Sequence, residues 1–192
     1  GQFRPSLQGV TLQPRPIQLP HPPVYVSCSN PDATAAPAKL GLNIVATGLA
    51  FDLDQLPPMV DRYHDEWAKA GHRHEPHITL LAHTYVEPDS QTAIRHLEQY
   101  QFIFQKWVFS KRFGMDPDEV ELPPRIMNLG SDESVIAVGS PQAVTDKIGQ
   151  LCELSGCDRF IVQSDYGGQP FDVVKASLEL YARDVLPVVA DF

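Results

Sequence analysis

Long hydrophobic runs are missing from this chain of 192 residues. No apolar stretch approaches the ~20 residues that a membrane-spanning helix needs. Positive charge is also scarce. Lys and Arg number 15 against 24 Asp and Glu, a net charge of -9, and a nucleic-acid surface would want a basic stripe instead. Cysteine is confined to Cys28, Cys152 and Cys157, with no CxxC, and three thiols cannot all pair with one another. Reduced thiols in a cytoplasmic protein are the expectation, and the opening Gly1-Gln2-Phe3-Arg4 has no signal-peptide design. Neither a P-loop nor a GxGxxG fingerprint is present to bind a nucleotide.

What is present begins at Val24. The β-prone run Val24-Tyr25-Val26 leads into Ser27-Cys28-Ser29-Asn30, a cluster of small polar residues. A short alanine-rich helical segment from Pro31 to Leu40 follows, and a second apolar strand opens at Gly41. That order is one βαβ unit. Its turn falls at the carboxyl end of a strand and the amino end of a helix, where backbone N–H groups favour a phosphate. A plain helix cap by Ser29 or Asn30, with Asp32 in the first turn, explains the same residues.

The βα period continues along the chain. Strands are expected at Val24–Val26, Asn43–Ala46, Ile78–Val86 and Phe160–Gln163. Helical faces are expected at Met59, Val60, Tyr63 and Trp67, at Val144, Ile148, Leu151 and Cys152, and at Val174, Leu178 and Tyr181. Pro57-Pro58 and Pro141 suit helix starts and Gly71 a helix end. Strands alternating with helices point to a parallel α/β architecture in a single domain, residues 1–192. Residues 1–23, with Pro5, Pro14, Pro16, Pro20, Pro22 and Pro23, read as an extended arm. Residues 101–139 run from Phe102, Phe104 and Trp107 into Asp116-Pro117-Asp118-Glu119 and Pro123-Pro124, and read as a lid-like insertion.

The order of these segments resembles the bacterial-luciferase-like flavin monooxygenases. The arm Gly9 to Gln18 with Pro20 to Val26 is similar to the stretch before that family's fifth strand. Pro31 to Ile44 resembles its fifth helix and sixth strand, and Val138-Gly139-Ser140-Pro141-Gln142-Ala143-Val144 resembles the start of a late helix. Phe160 to Pro170, then Ser177 to Leu180 and Val185-Leu186-Pro187, look like the last strand and helix. The resemblance implies the carboxyl-terminal half, about four βα units, of a TIM (β/α)8 barrel. A half-barrel leaves two strand edges and an inner face uncovered. Another chain, a removed segment or a second copy would close it; a shortened sheet that stands alone is the alternative.

By the same resemblance the cofactor is reduced FMN, reacting with O2 to monooxygenate a small organic substrate, with a flavin reductase as a possible partner. The FMN phosphate is expected at Ser27, Cys28, Ser29 and Asn30. Where family members have Pro-Glu-Ser this chain has Pro31-Asp32-Ala33, so one hydroxyl is absent. His83, at the end of the third strand, is the catalytic candidate, for hydrogen bonding to flavin or peroxide oxygen or for proton transfer near neutral pH. A hydrogen-bonded barrel-lining histidine is the plainer reading of the same residue. Gln163 and Tyr166 are candidate substrate-pocket residues. His72, His74 and His77 lie on the amino side of the sheet, the stability face of a barrel, and read as surface histidines rather than metal ligands. Two other readings remain open: a deazaflavin-dependent dehydrogenase of the same superfamily, and a non-catalytic flavin-binding or partner subunit.

Overall fold

The computed structural model describes residues 2–3, 5–11, 13–19, 21–48, 52–122, 128–190 and 192. Gly1, Arg4, Leu12, Pro20, Pro123 and Pro124, which figure in the sequence reading, lie outside them. Five parallel strands form one sheet: β1 (Tyr25–Cys28), β2 (Asn43–Thr47), β3 (Ile78–Val86), β4 (Ala137–Gly139) and β5 (Arg159–Gln163). The helices are α1 (Ala35–Leu40), α2 (Leu56–Ala70), α3 (Ser90–Phe113), α4 (Pro141–Ser155) and α5 (Phe171–Leu180), which continues through a π turn (Tyr181–Val185) into α6 (Leu186–Val189). Among the described residues of the arm before β1 there is neither helix nor strand.

β3 is the centre of the sheet. Its first half pairs with β2 on one side, Ile44 opposite Ile78, and with β5 on the other, Leu80 opposite Phe160. Its last residues pair with β4, Thr84 opposite Ala137. Val135, just before β4, packs where a side chain on Gly48 would sit, so β4 continues along the side that β2 vacates. Among the described residues β1 pairs only with β2, and β5 only with β3. All four expected strands are present, Ile78–Val86 with its expected bounds and the other three shifted by a residue or two at one or both ends. β4 was not expected, because three residues with no polar alternation carry too little pattern to read as a strand.

Residue alternation assigns the two faces. Ile44, Ala46, Ile78, Leu80 and Ala82 are at most 1% exposed and pack against Met59, Tyr63 and Trp67 of α2 and Leu151 of α4. Each fully buried Ile, Leu or Met side chain among these contributes ~1.5–3 kcal/mol. Further along, Val86 meets Val144, Ile148 and Val185. The odd-numbered positions of β3 therefore point the other way. On that inner face Ser27 and Arg159 are exposed, Val45 and Leu81 half-buried, and Ile161 is 37% exposed. Leu81 lies on this inner face, whereas Val26, Ile44 and Leu80 belong to the helix-side core.

Residues 101–113 of the lid-like stretch are the second half of α3, and 137–139 are β4. Asp89 starts α3, its carboxylate accepting from the Thr92 backbone N–H at 2.9 Å. The Val-Gly-Ser-Pro junction also has a physical basis. Gly139 has φ +148, and a side chain there would meet Ser90 Oγ and Ala143 Cβ at 3.0 Å. Ser140 then caps α4, its hydroxyl accepting from Ala143 N–H at 3.3 Å.

Candidate functional site

The turn after β1 is built from its own side chains. Cys28 is fully buried, and its thiol donates back to the carbonyls of Val26 at 3.6 Å and Ala33 at 3.4 Å. Burial raises the thiol pKa, so it stays protonated. Asn30, in extended conformation, caps the helical run that starts at Pro31; its side-chain oxygen accepts from Ala33 N–H at 2.9 Å. Ser27 hydrogen-bonds Thr47 of β2 through their hydroxyls at 2.8 Å. Asp32 forms an exposed ion pair with Arg62 of α2 at 3.0 Å. Asn30 and Ser27 are exposed and Ser29 is half-buried, whereas the Cys28 side chain faces the core.

At the end of β3, His83 is fully buried. Its Nδ1 lies 2.9 Å from Oε1 of Gln101 on α3, an arrangement in which Nδ1–H donates and Nε2 keeps its lone pair. That Nε2 is buried without a hydrogen-bond partner. Tyr166 stands edge-on to the ring, with centroids 4.2 Å apart, and Phe104 packs at 5.6 Å. Burial pushes the His83 pKa down to about 3, despite the opposing hydrogen bond to Gln101. The imidazole is thus neutral at physiological pH and a poor base there. In this arrangement the geometry supports a hydrogen-bond acceptor rather than a group that exchanges protons near neutral pH.

Tyr166 is 4% exposed and enters from the loop after β5. Its backbone N–H donates to Gln169 Oε1 at 2.9 Å, and Gly167 N–H donates to Asp165 at 2.8 Å. Gly167 and Gly168 have φ +83 and +79, a left-handed pair that only glycine adopts readily. This turn holds the ring inward. The Tyr166 hydroxyl is buried with the Thr84 backbone near it, short of hydrogen-bond geometry. Gln163, half-buried, lies opposite His83 in register. The structure therefore brings His83, Gln163 and Tyr166 together. The Ser27–Asn30 turn stands two strands away, roughly 10 Å across the sheet, and does not join them.

Gln101, Phe104 and Gln169 were not read from the sequence as site residues. The signal for Gln101 was available: Ala93, Leu97, Gln101 and Gln105 repeat every four residues, and all four are buried on one stripe of α3. The histidine cluster has a structural task. His72 Nε2 lies 2.8 Å from Ala38 O and His74 Nε2 3.1 Å from Gly41 O, capping the end of α1, while both rings pack on Trp67. Among the described residues no group of three or more metal-ligating side chains occurs.

The profile of the luciferase-like monooxygenase family matches residues 1–159. The chain belongs to that family. A flavin-dependent trigonelline monooxygenase oxygenase component from Acinetobacter baylyi is 26% identical over 94% of this chain and 52% of its own length. Monooxygenase RslO1 from Streptomyces bottropensis superposes with a TM-score of 0.68 at 22% identity, over 93% of this chain and 51% of the other. The oxygenating constituent of 3,6-diketocamphane monooxygenase from Pseudomonas putida, solved with FMN, gives 0.59 at 22% identity, over 87% and 49%. Coenzyme-F420-dependent enzymes share the fold as well. The chain spans about half the length of the curated relatives it matches. The fold is thus the parallel α/β architecture of luciferase-like TIM barrels, present to about half its extent.

Proposed function

We propose that this chain is the carboxyl-terminal half of the barrel of a monooxygenase that uses reduced FMN and O2 to oxygenate a small organic substrate. The observation that carries the reading is the Ser27–Asn30 turn, which presents hydroxyl and amide donors at the carboxyl end of β1 immediately before a helical run. These residues fit a phosphate in part. Ser29 and Asn30 would hold it, with the exposed Ser27 hydroxyl beside them; Cys28 contributes backbone only, since its thiol is bonded inward. The Asp32 carboxylate opposes an anion there, and the Arg62 guanidinium offsets that charge.

Reduced flavin, when bound, supplies the chemistry that activates oxygen. The chain's own residues bind and enclose. α3 and Tyr166 seal the carboxyl end of β3, so water is kept from the inner face near His83. His83 offers a neutral acceptor at Nε2, and Gln163 and Tyr166 form the adjoining wall of the substrate pocket. A complementary half-barrel or a second copy covers the remaining inner face, and a flavin reductase in the cytoplasm supplies the reduced cofactor. FMN is preferred to a deazaflavin on the flavin dependence of the trigonelline enzyme and the FMN held by the diketocamphane enzyme.

A fluorescence titration tests the phosphate assignment. The chain joined to its complementary half binds FMN more tightly than riboflavin, and Ser29→Leu with Asn30→Leu removes that preference. An unchanged ratio of the two affinities overturns it. A second reading, a flavin-binding partner subunit without catalysis, draws on one observation: His83 is fully covered even though much of the inner face is open. Loss of turnover in His83→Phe at unchanged FMN affinity favours the enzyme; full turnover favours a structural His83.

A further inference from the structure

Cys152 lies in the last turn of α4, and Cys157 lies just past the Gly156 cap. Their sulfurs are 3.7 Å apart, and both thiols are free and half-buried. Phe160, at the start of β5, borders both of the core clusters that the two cysteines border. Cys157 borders the core under α2, and Cys152 borders the cluster of Val86, Ala137, Val144, Ile148 and Val185. The next residue, Asp158, brackets the start of β3: its N–H donates to Ile78 O at 2.9 Å and its carboxylate accepts from Ile78 N–H at 2.7 Å. The pair thus stands where α4 hands over to the edge strand of the sheet.

The two sulfurs are not equivalent. The sulfur–sulfur contact with Cys152, aided by the Ser155 hydroxyl, draws Cys157 down to about 6 against the effect of burial and of the Asp158 carboxylate. Cys152 is raised by the same contact and by burial, with Tyr181 beside it. Cys157 is therefore the more acidic thiol of the pair and the nucleophile candidate, with the Cys152 sulfur 3.7 Å away to resolve it. Cys28 offers no such pair. Its thiol is fully buried and bonded to carbonyls.

We propose that Cys152 and Cys157 form a reversible intramolecular disulfide on exposure to a hydroperoxide, stapling the end of α4 to the start of β5. Closure requires the sulfurs to approach from 3.7 Å to roughly 2.05 Å, a movement within reach of side chains on either side of a left-handed glycine. In the first step the Cys157 sulfur attacks one peroxide oxygen. The O–O bond breaks, hydroxide leaves, and Cys157 becomes a sulfenic acid. In the second step the Cys152 sulfur attacks that sulfur. The S–O bond breaks, and the departing hydroxide takes the Cys152 proton as water. Two thiols and one hydrogen peroxide give one disulfide and two waters.

The test uses the full reduced chain and dilute hydrogen peroxide. The intact mass falls by two hydrogens, peptide mapping places the bond between Cys152 and Cys157, and dithiothreitol restores the starting mass. Cys152→Ser leaves Cys157 as a sulfenic acid trapped by dimedone. Cys157→Ser slows oxidation of Cys152 by about tenfold or more. Amide exchange over Arg159–Gln163 slows in the oxidised wild-type chain. Accumulation of oxygen adducts in place of the two-hydrogen loss, or a crosslink to Cys28 or between chains, overturns the disulfide. Unchanged exchange over β5 overturns the staple.

Discussion

The two faces of the sheet differ sharply in what they bury. Toward α2 and α4, Ile44, Ala46, Ile78, Leu80 and Ala82 are almost without exposure. Toward the inner side, Ser27 and Arg159 are open to solvent and Ile161 is 37% exposed. The inner face is closed at the carboxyl end of β3, where α3 and Tyr166 fold over His83, and at Thr79, 1% exposed between its strand neighbours. One layer of helices thus gives this chain a core, while the other side of the same strands has the character of a surface that another element covers. The flank continues that character, with Phe171 80% exposed and Leu178 44% exposed on α5, the helix that follows edge strand β5.

Substitutions on the two faces sharpen this contrast. Trp67→Ala, on the helix side, costs about 3–5 kcal/mol, read from the urea midpoint. Ile161→Ala, on the inner face, stays within about 0.5 kcal/mol in the isolated chain. Equal costs would show that the inner face is already packed, and the distinction would fail.

Acid probes the closed carboxyl end of the inner face. The unfolded chain protonates His83 near its ordinary value, whereas the folded chain resists down to about 3. The unfolded state therefore binds more protons in that window, and stability falls as pH drops below the ordinary histidine value. Between pH 7 and pH 5 the loss attributable to His83 is about 2 kcal/mol. His83→Phe removes this component of the acid slope in urea titrations; an unaltered slope would show that the ring is hydrated.

Smaller effects are expected at the caps. Asn30→Ala removes the side-chain acceptor for Ala33 N–H and costs about 1 kcal/mol. His72→Ala loses the contact with Ala38 O and costs about 0.5–1.5 kcal/mol. Thermal unfolding should rank Asn30→Ala and His72→Ala together, well below Trp67→Ala.

Strands as long and apolar as Ile78–Val86 and helices as periodic as Leu56–Ala70 were legible because their patterns extend over many residues. β4 was not, since its pairing depends on where β2 ends, which no local pattern states. Nor was the inner or outer assignment of Val26, Ile44 and Leu80. Adjacent residues such as Leu80 and Leu81 are both apolar, so alternation alone does not say which one faces the helices. At the site, the sequence located His83 and Tyr166 but not Gln101. The hydrogen bond that fixes the imidazole comes from a helix eighteen residues away along the chain. The Ser27–Asn30 turn was legible as a turn, while the inward bonding of Cys28 depends on how tightly Pro31–Thr34 closes over it.

Light scattering on the 192-residue chain at micromolar concentration is the direct test of whether the inner face is an interface. Pairing across that face and the β1 and β5 edges gives a mass above the 21.3 kDa of one chain, or above it once the complementary half-barrel is supplied, with the thermal transition rising on pairing. A monodisperse 21.3 kDa particle that unfolds cooperatively, and neither pairs with itself nor gains stability from a complementary half, would contradict it.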